Sequence, residues 1–138
     1  MRRRVVNGVD SSRVAMLLAV LERRCHIRLS NQDVYVSTVG GIRLAEPGAD
    51  LAIALAIASA VRDIPLPATL AAVGEISLAG EIRPVAGVRQ RIAEAKRLGY
   101  KTVLDGTGSD GPGGSVAEVI GAAFKAKADL RAVDKPAF

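Results

Sequence analysis

Tryptophan is absent from this 138-residue chain, and phenylalanine and tyrosine occur twice each, so aromatics make up 3% of it. Its core has to be aliphatic, built from Ala, Val, Leu and Ile. The same scarcity counts against modules that read single strands by stacking bases on exposed rings. Cysteine occurs once, at Cys25, and histidine once, at His26. A lone cysteine forms no internal disulfide, and the two side chains fall short of the four ligands of a structural zinc site. The longest apolar run, Leu51–Val61, is about half of the roughly 20 residues that a membrane span requires. Arg2-Arg3-Arg4 is followed by too short an apolar stretch to be a signal peptide. There is no GxxxxGK[ST] motif and hence no P-loop for ATP. These absences predict a soluble, cytoplasmic chain with no membrane partner and no cofactor of its own.

Apolar residues are 49% of the chain and charged residues 24%, a globular composition at the length of one domain. Nineteen Lys and Arg against fourteen Asp and Glu give a net charge of +5. A basic balance favours a polyanionic partner, nucleic acid first, although many basic domains carry such charge as a solvated surface.

Residues 1–9 read as a mobile basic lead-in, and residues 10–138 as a single domain with a Gly-rich loop at 105–115. Asp10-Ser11-Ser12 offers N-cap side chains, and Val14, Leu17, Leu18, Leu21 and Cys25 follow at helical spacing as one apolar stripe. Val34–Val39 is β-branched and ends at Gly40-Gly41, the pattern of a strand. Leu51–Val61 alternates large and small residues, which would suit a strand. Five of its eleven residues are alanine, however, and Asp50 is a good N-cap, so the segment is expected to be a helix buried on nearly all sides and stopped by Pro65 and Pro67. Ala71–Leu78 and Glu81–Pro84 flank a tight bend at Ala79-Gly80. A third helix is expected from Gly87-Val88 to Leu98, a short strand over Lys101–Leu104, and a last helix over Val116–Lys127. The class is mixed α and β in layers.

Gly106-Thr107-Gly108-Ser109-Asp110-Gly111 matches GxGxxG, but Pro112-Gly113-Gly114 delays any helix that could hold a pyrophosphate, so a floppy surface loop is the better reading. Cys25 and His26 are adjacent on a helix and cannot face each other, and Cys25 continues the apolar stripe. On the third helix, Val88, Ile92, Ala95 and Leu98 form an apolar face, while Arg89, Lys96 and Arg97 cluster within about a quarter of the circumference. That cluster is either a solvated face or a ridge that contacts phosphates.

The stretches VDSSRVAMLLAVLERR, DVYVSTVGG, EPGADLAIALAIASA and GEISLAGEIRPVAGVRQRIAEAKRLGYKTV resemble the C-terminal Lon-protease-like domain of the bacterial RadA (Sms) family from Val9 to Leu104. The resemblance implies a Lon proteolytic-domain-like fold, of the kind found in the second domain of ribosomal protein S5, with a sheet covered by helices. Lon peptidases place a serine nucleophile in Pro-Ser-Ala-Gly and a general-base lysine after a Gly-Gly-Leu turn. Here the first motif reads Pro47-Gly48-Ala49-Asp50 and the second Ala86-Gly87-Val88-Arg89. Glycine has no nucleophilic atom, and arginine, always protonated, accepts no proton from a hydroxyl. The expectation is therefore no enzyme in this chain. Ser37, Ser59 and Ser77 remain as serines for a hydrolase, with no base assignable to any of them.

In RadA proteins a zinc motif and a RecA-like ATPase precede such a domain, and hexameric rings drive branch migration. The resemblance implies an excised C-terminal domain, with ATP and zinc confined to the modules that precede it. It implies ring scaffolding, DNA-backbone binding and recombination partners such as RecA, or else assembly and docking without DNA affinity. Candidate DNA contacts are Arg89, Lys96 and Arg97, with Arg43 after the Gly40-Gly41 turn and Arg83 before Pro84.

Overall fold

In the computed structural model, which describes residues 2–108, 111 and 113–124, helix α1 spans Ser11–Arg24. Its start is where the sequence places it: Asp10 Oδ1 accepts the Ser12 N–H at 2.9 Å and satisfies one of the free amides of the first turn. The apolar stripe Val14, Leu17, Leu18, Leu21 and Cys25 is buried, with Val20 beside it. The helix stops at His26, whose φ of 55° turns the chain away, while the Cys25 and Ile27 N–H groups both donate to the Leu21 carbonyl. Ile27 and Leu29 then bury themselves under the helix end.

Residues 1–9 are more than a lead-in. Arg4–Asn7 forms β1, which runs parallel to β2 (Val34–Ser37) in the register Arg4↔Val34 to Asn7↔Ser37. Both strands are half exposed, and Arg4 uses its charge structurally, donating from its guanidinium to the carbonyls of Leu29 and Gln32. β2 is shorter than Val34–Val39, because the backbone turns at Val39–Gly41.

Helical periodicity wins in the ambiguous segment, where α2 spans Asp50–Arg62. Leu51, Ala54, Leu55, Ile57 and Ala58 point into the core at intervals of three and four. Two expectations need correction. Ala52, Ala56 and Ala60 are exposed, so α2 buries one face. With Tyr35, Val39, Ile42 and Leu44, that alanine stripe lines an apolar groove of about 720 Å³. Asp50 is not the N-cap; it lies inside the first turn, and its carboxylate is turned inward. The helix ends before the prolines, at Asp63 in a left-handed conformation.

Two further strand pairs complete the sheet region. β3 (Leu70–Ala72) runs parallel to β6 (Thr102–Leu104), and β4 (Glu75–Ile76) runs antiparallel to β5 (Ile82–Arg83) around the Ala79-Gly80 bend. The expected strand Ala71–Leu78 is broken in two at Gly74. There the backbone leaves the ladder to meet α2, the Gly74 N–H donating to the Gly48 carbonyl and the Leu51 N–H to the Gly74 carbonyl. A β-carbon at Gly74 would stand 2.7 Å from Ile82 Cγ2, so the approach requires glycine. Helix α3 (Val88–Arg97) lies over β6 without a buried residue, and Leu98, expected on its apolar face, is 63% exposed.

A last helical run covers residues 116–124, with Val116, Val119, Ile120 and Phe124 in the core; Lys125–Lys127 of the expected helix lie outside the described residues. The Gly-rich loop is pinned at its ends. Gly114 N–H donates to the Gly106 carbonyl, Ile82 N–H to the Gly114 carbonyl, and buried Asp105 accepts from the Thr107 N–H and hydroxyl. Among the described residues no helix is long and apolar enough to cross a membrane.

Asp50 ties these elements together, with 1% of its surface exposed. It accepts two bonds from Arg13 of α1, through Nε at 3.0 Å and through Nη2, and a third from the Ile76 N–H of β4 at 3.0 Å. Removing the carboxylate strands a buried amide and leaves the Arg13 guanidinium only its longer contact with Glu75, at 3.7 Å. Asp50→Ala is therefore expected to cost roughly 2–4 kcal/mol, the low end applying because Arg13 is partly solvated. Asp50→Asn, which keeps an acceptor, should lose less. Urea unfolding of both variants checks this, and equal losses would contradict the role of the charge.

Candidate functional site

The two positions that the motif comparison sets against the peptidase dyad lie on different elements, and it is Arg91 of α3 that reaches Gly48. Gly48 sits in the single turn Pro47–Ala49 ahead of α2, and Arg89 in the first turn of α3. Gly48 is buried. A β-carbon built there would stand 3.0 Å from Arg91 Nη1, 3.1 Å from Val85 Cγ1 and 3.2 Å from Glu46 Oε1. Arg91 in turn pairs with Glu46 at 3.3 Å, and Glu46 Oε1 also accepts the Gly48 N–H at 3.3 Å. An ion pair thus occupies the space into which a serine side chain would project. Arg91 and the Gly48 amide hold the Glu46 carboxyl below its ordinary range, so the pair persists at neutral pH and weakens as acid protonates Glu46. Arg91 was not singled out in the sequence, because its partner lies 45 positions away and only the fold joins them.

The remaining nucleophile candidates are engaged elsewhere. Ser37 Oγ donates to the Thr38 carbonyl, Ser59 Oγ donates to the Ile64 carbonyl, and Ser77 Oγ accepts the Glu81 N–H. Burial pushes the Cys25 thiol up, opposite to what a thiolate nucleophile needs. Among the described residues no group of three His, Cys, Asp or Glu side chains could hold a metal ion.

The five candidate DNA contacts are all exposed, but they are not equivalent. Arg89, Lys96 and Arg97 share one face of α3, as the spacing predicts. Arg97 is spent on Glu94, to which it donates through both Nε and Nη2. The exposed ion pair leaves each partner more firmly charged, Glu94 below and Arg97 above its ordinary range. Arg83 lies directly across the β4–β5 ladder from Glu75. Arg43 follows the Gly40-Gly41 turn on a separate loop. The structure therefore assembles the α3 trio and leaves Arg43 and Arg83 on separate elements. Three further arginines, Arg23, Arg24 and Arg28, are exposed at the end of α1. None of the three was singled out in the sequence as a DNA contact.

Residues 15–111 match the Lon protease (S16) C-terminal proteolytic domain. The chain is 53% identical over 102 residues to the DNA repair protein RadA of Mycolicibacterium smegmatis, covering 74% of this chain and 22% of that protein. It is 49% identical to the DNA repair protein RadA of Mycobacterium tuberculosis, with 74% and 21% covered, and 47% identical to that of Escherichia coli, with 74% and 22% covered. The chain thus spans about a fifth of the length of the curated relatives it matches.

The packing around Gly48 is testable without any activity assay. Gly48→Ala forces Arg91 and Val85 back by a few tenths of an ångström and should cost about 1 kcal/mol. In an Arg91→Ala background the tightest of these contacts is gone and only Val85 and Glu46 have to give, so the same change should cost less, a coupling that a double-mutant cycle in urea reads directly. Additive effects would mean that Arg91 does not fill the serine's place.

Proposed function

Because the chain belongs to the Lon protease C-terminal proteolytic domain family, in the form found in RadA proteins, we propose that it serves DNA repair without peptidase chemistry, as a domain that scaffolds a ring and grips the DNA backbone. The observation that carries this reading is the space at Gly48. Where the family chemistry needs a hydroxyl beside a neutral base, this chain places a glycine, a Glu46–Arg91 ion pair and, at the base position, Arg89. An arginine keeps its proton throughout the working pH range. Both halves of a Ser-Lys mechanism are missing together, so a single substitution would not restore it.

With the chemistry gone, surface and charge remain. The apolar groove between β2 and α2 exposes Tyr35 at 61% and Val39 at 90%, and exposed apolar surface of this kind marks an interaction site. It supports self-association. It equally favours the second reading, a pure assembly or docking module without DNA affinity, in which recombination proteins such as RecA would be the partners. The net charge of +5 supports the first reading, with exposed Arg43, Arg83, Arg89 and Lys96 among the candidate contacts. ATP hydrolysis, zinc binding and branch migration would belong to the four-fifths of a RadA-length protein outside this chain, acting in the cytoplasm.

Band shifts of arbitrary duplexes at low salt separate the two readings. The DNA-binding reading expects sequence-independent retardation, with log affinity falling linearly against log salt. No retardation at the lowest salt leaves the docking module. A panel of fluorogenic peptides should show no turnover above buffer for the unmodified chain or for the Gly48→Ser/Arg89→Lys variant; turnover by the unmodified chain would return it to the peptidases.

A further inference from the structure

Three guanidinium groups fall within six residues at the end of α1, and the surrounding geometry leaves all three unneutralised. Arg23 and Arg24 occupy the last turn of the helix, and Arg28 follows in the turn that leads to β2. All three are exposed, and among the described residues none of the three guanidinium groups has a hydrogen-bond or ion-pair partner, the Arg28 carbonyl alone accepting the Gln32 side-chain amide at 3.3 Å. The neighbouring acid is Glu22, and its carboxylate is committed to the backbone: Oε1 accepts the N–H groups of Leu29 at 3.0 Å and Ser30 at 2.9 Å. Those two bonds hold the Glu22 carboxyl below its ordinary range.

The turn that carries Arg28 is rigidly held. Ile27 and Leu29 are buried on either side of it, Ile27 N–H donates to Leu21, and the Arg4 guanidinium grips the Leu29 and Gln32 carbonyls from β1. Arg24 is braced as well, its stem lying against Gly80 of the β4–β5 bend, where a β-carbon would stand 3.2 Å from Arg24 Cγ. The α3 ridge contrasts with this, since its Arg97 is bonded to Glu94. An arginine already paired to a carboxylate must give up that pair to reach a phosphate. An unpaired one on a fixed backbone gives up only water and loses less side-chain freedom.

We infer that the end of α1, with Arg23, Arg24 and Arg28, is the principal phosphate-contacting surface of this chain, and that its ligand is the backbone of duplex DNA. The inference rests on the DNA-binding reading above and moves its centre from α3 to α1. Such contacts carry no base identity and release counterions, each flattening the slope of log affinity against log salt by about 0.9 when removed.

The test compares three proteins on a labelled duplex of arbitrary sequence, titrated from about 50 to 200 mM salt. They are the unmodified chain, the Arg23→Gln/Arg24→Gln/Arg28→Gln variant, and the Arg89→Gln/Lys96→Gln/Arg97→Gln variant. Glutamine keeps the aliphatic stems, and thermal unfolding of each variant verifies that the fold survives. Loss of about two to three units of slope in the α1 variant, against about one or less in the α3 variant, supports the inference. An Arg→Lys version of the α1 triplet should retain the slope. If the unmodified chain binds and the α1 variant keeps its affinity and slope, the inference is overturned while the DNA-binding reading stands. If the unmodified chain does not bind at all, that reading falls and takes the inference with it.

Discussion

A carboxylate almost out of contact with water dictates how the layers of this domain meet. The Asp50 carboxylate of α2 is met in the interior by two donors from Arg13 of α1 and a third from Ile76 of β4. Burying a charge costs several kcal/mol unless partners of good geometry compensate. The first turn of α2, the first turn of α1 and the end of β4 are therefore fixed relative to one another. The pair need not add much net stability, since an apolar replacement of the same shape could do as well. It adds specificity: a slip of α2 by one residue would leave the carboxylate without its donors and the Arg13 guanidinium with only Glu75, 3.7 Å away.

That constraint also shapes the cleft. Asp50 follows Gly48-Ala49 directly, so anchoring it fixes the turn in which Gly48 sits. The same turn receives the Gly74 backbone from the strand region, and that contact splits a continuous strand pattern into β3 and β4. With the turn held from beneath by Asp50 and from the side by Gly74, Arg91 and Glu46 close over its outer face. That pair ties α3 to the turn before α2, and a side chain at position 48 would press on it.

Local signals were legible, and long-range ones were not. The α1 stripe and its Asp10 cap lie within a few residues of each other, so periodicity and one side chain sufficed to read them. Alanine content settled α2 as a helix, yet the same alanines concealed that one of its faces is open, because a small apolar residue fits a tight interface and an exposed stripe equally well. β1 escaped because its pairing with β2 spans thirty positions, and its arginines read as a solvated tail. The motif readings at Gly48 and Arg89 needed only local sequence, whereas Arg91, which lies against Gly48, emerges only when α3 is laid against the turn before α2.

Net charge is a property of the composition, but a usable cation is a property of the fold. Arg4 braces a turn, Arg13 neutralises Asp50, Arg62 lies 5.4 Å above the Phe124 ring, and Arg91 and Arg97 hold carboxylates. Each of these guanidinium groups counts toward the excess of +5 and each is already employed. Helical spacing correctly grouped Arg89, Lys96 and Arg97, but spacing is blind to an intervening acid such as Glu94. At the end of α1 the local acid has turned away to cap the backbone, and the arginines beside it keep their full field. The potential a polyanion meets is set by which acids have been withdrawn from the surface as much as by where the bases lie.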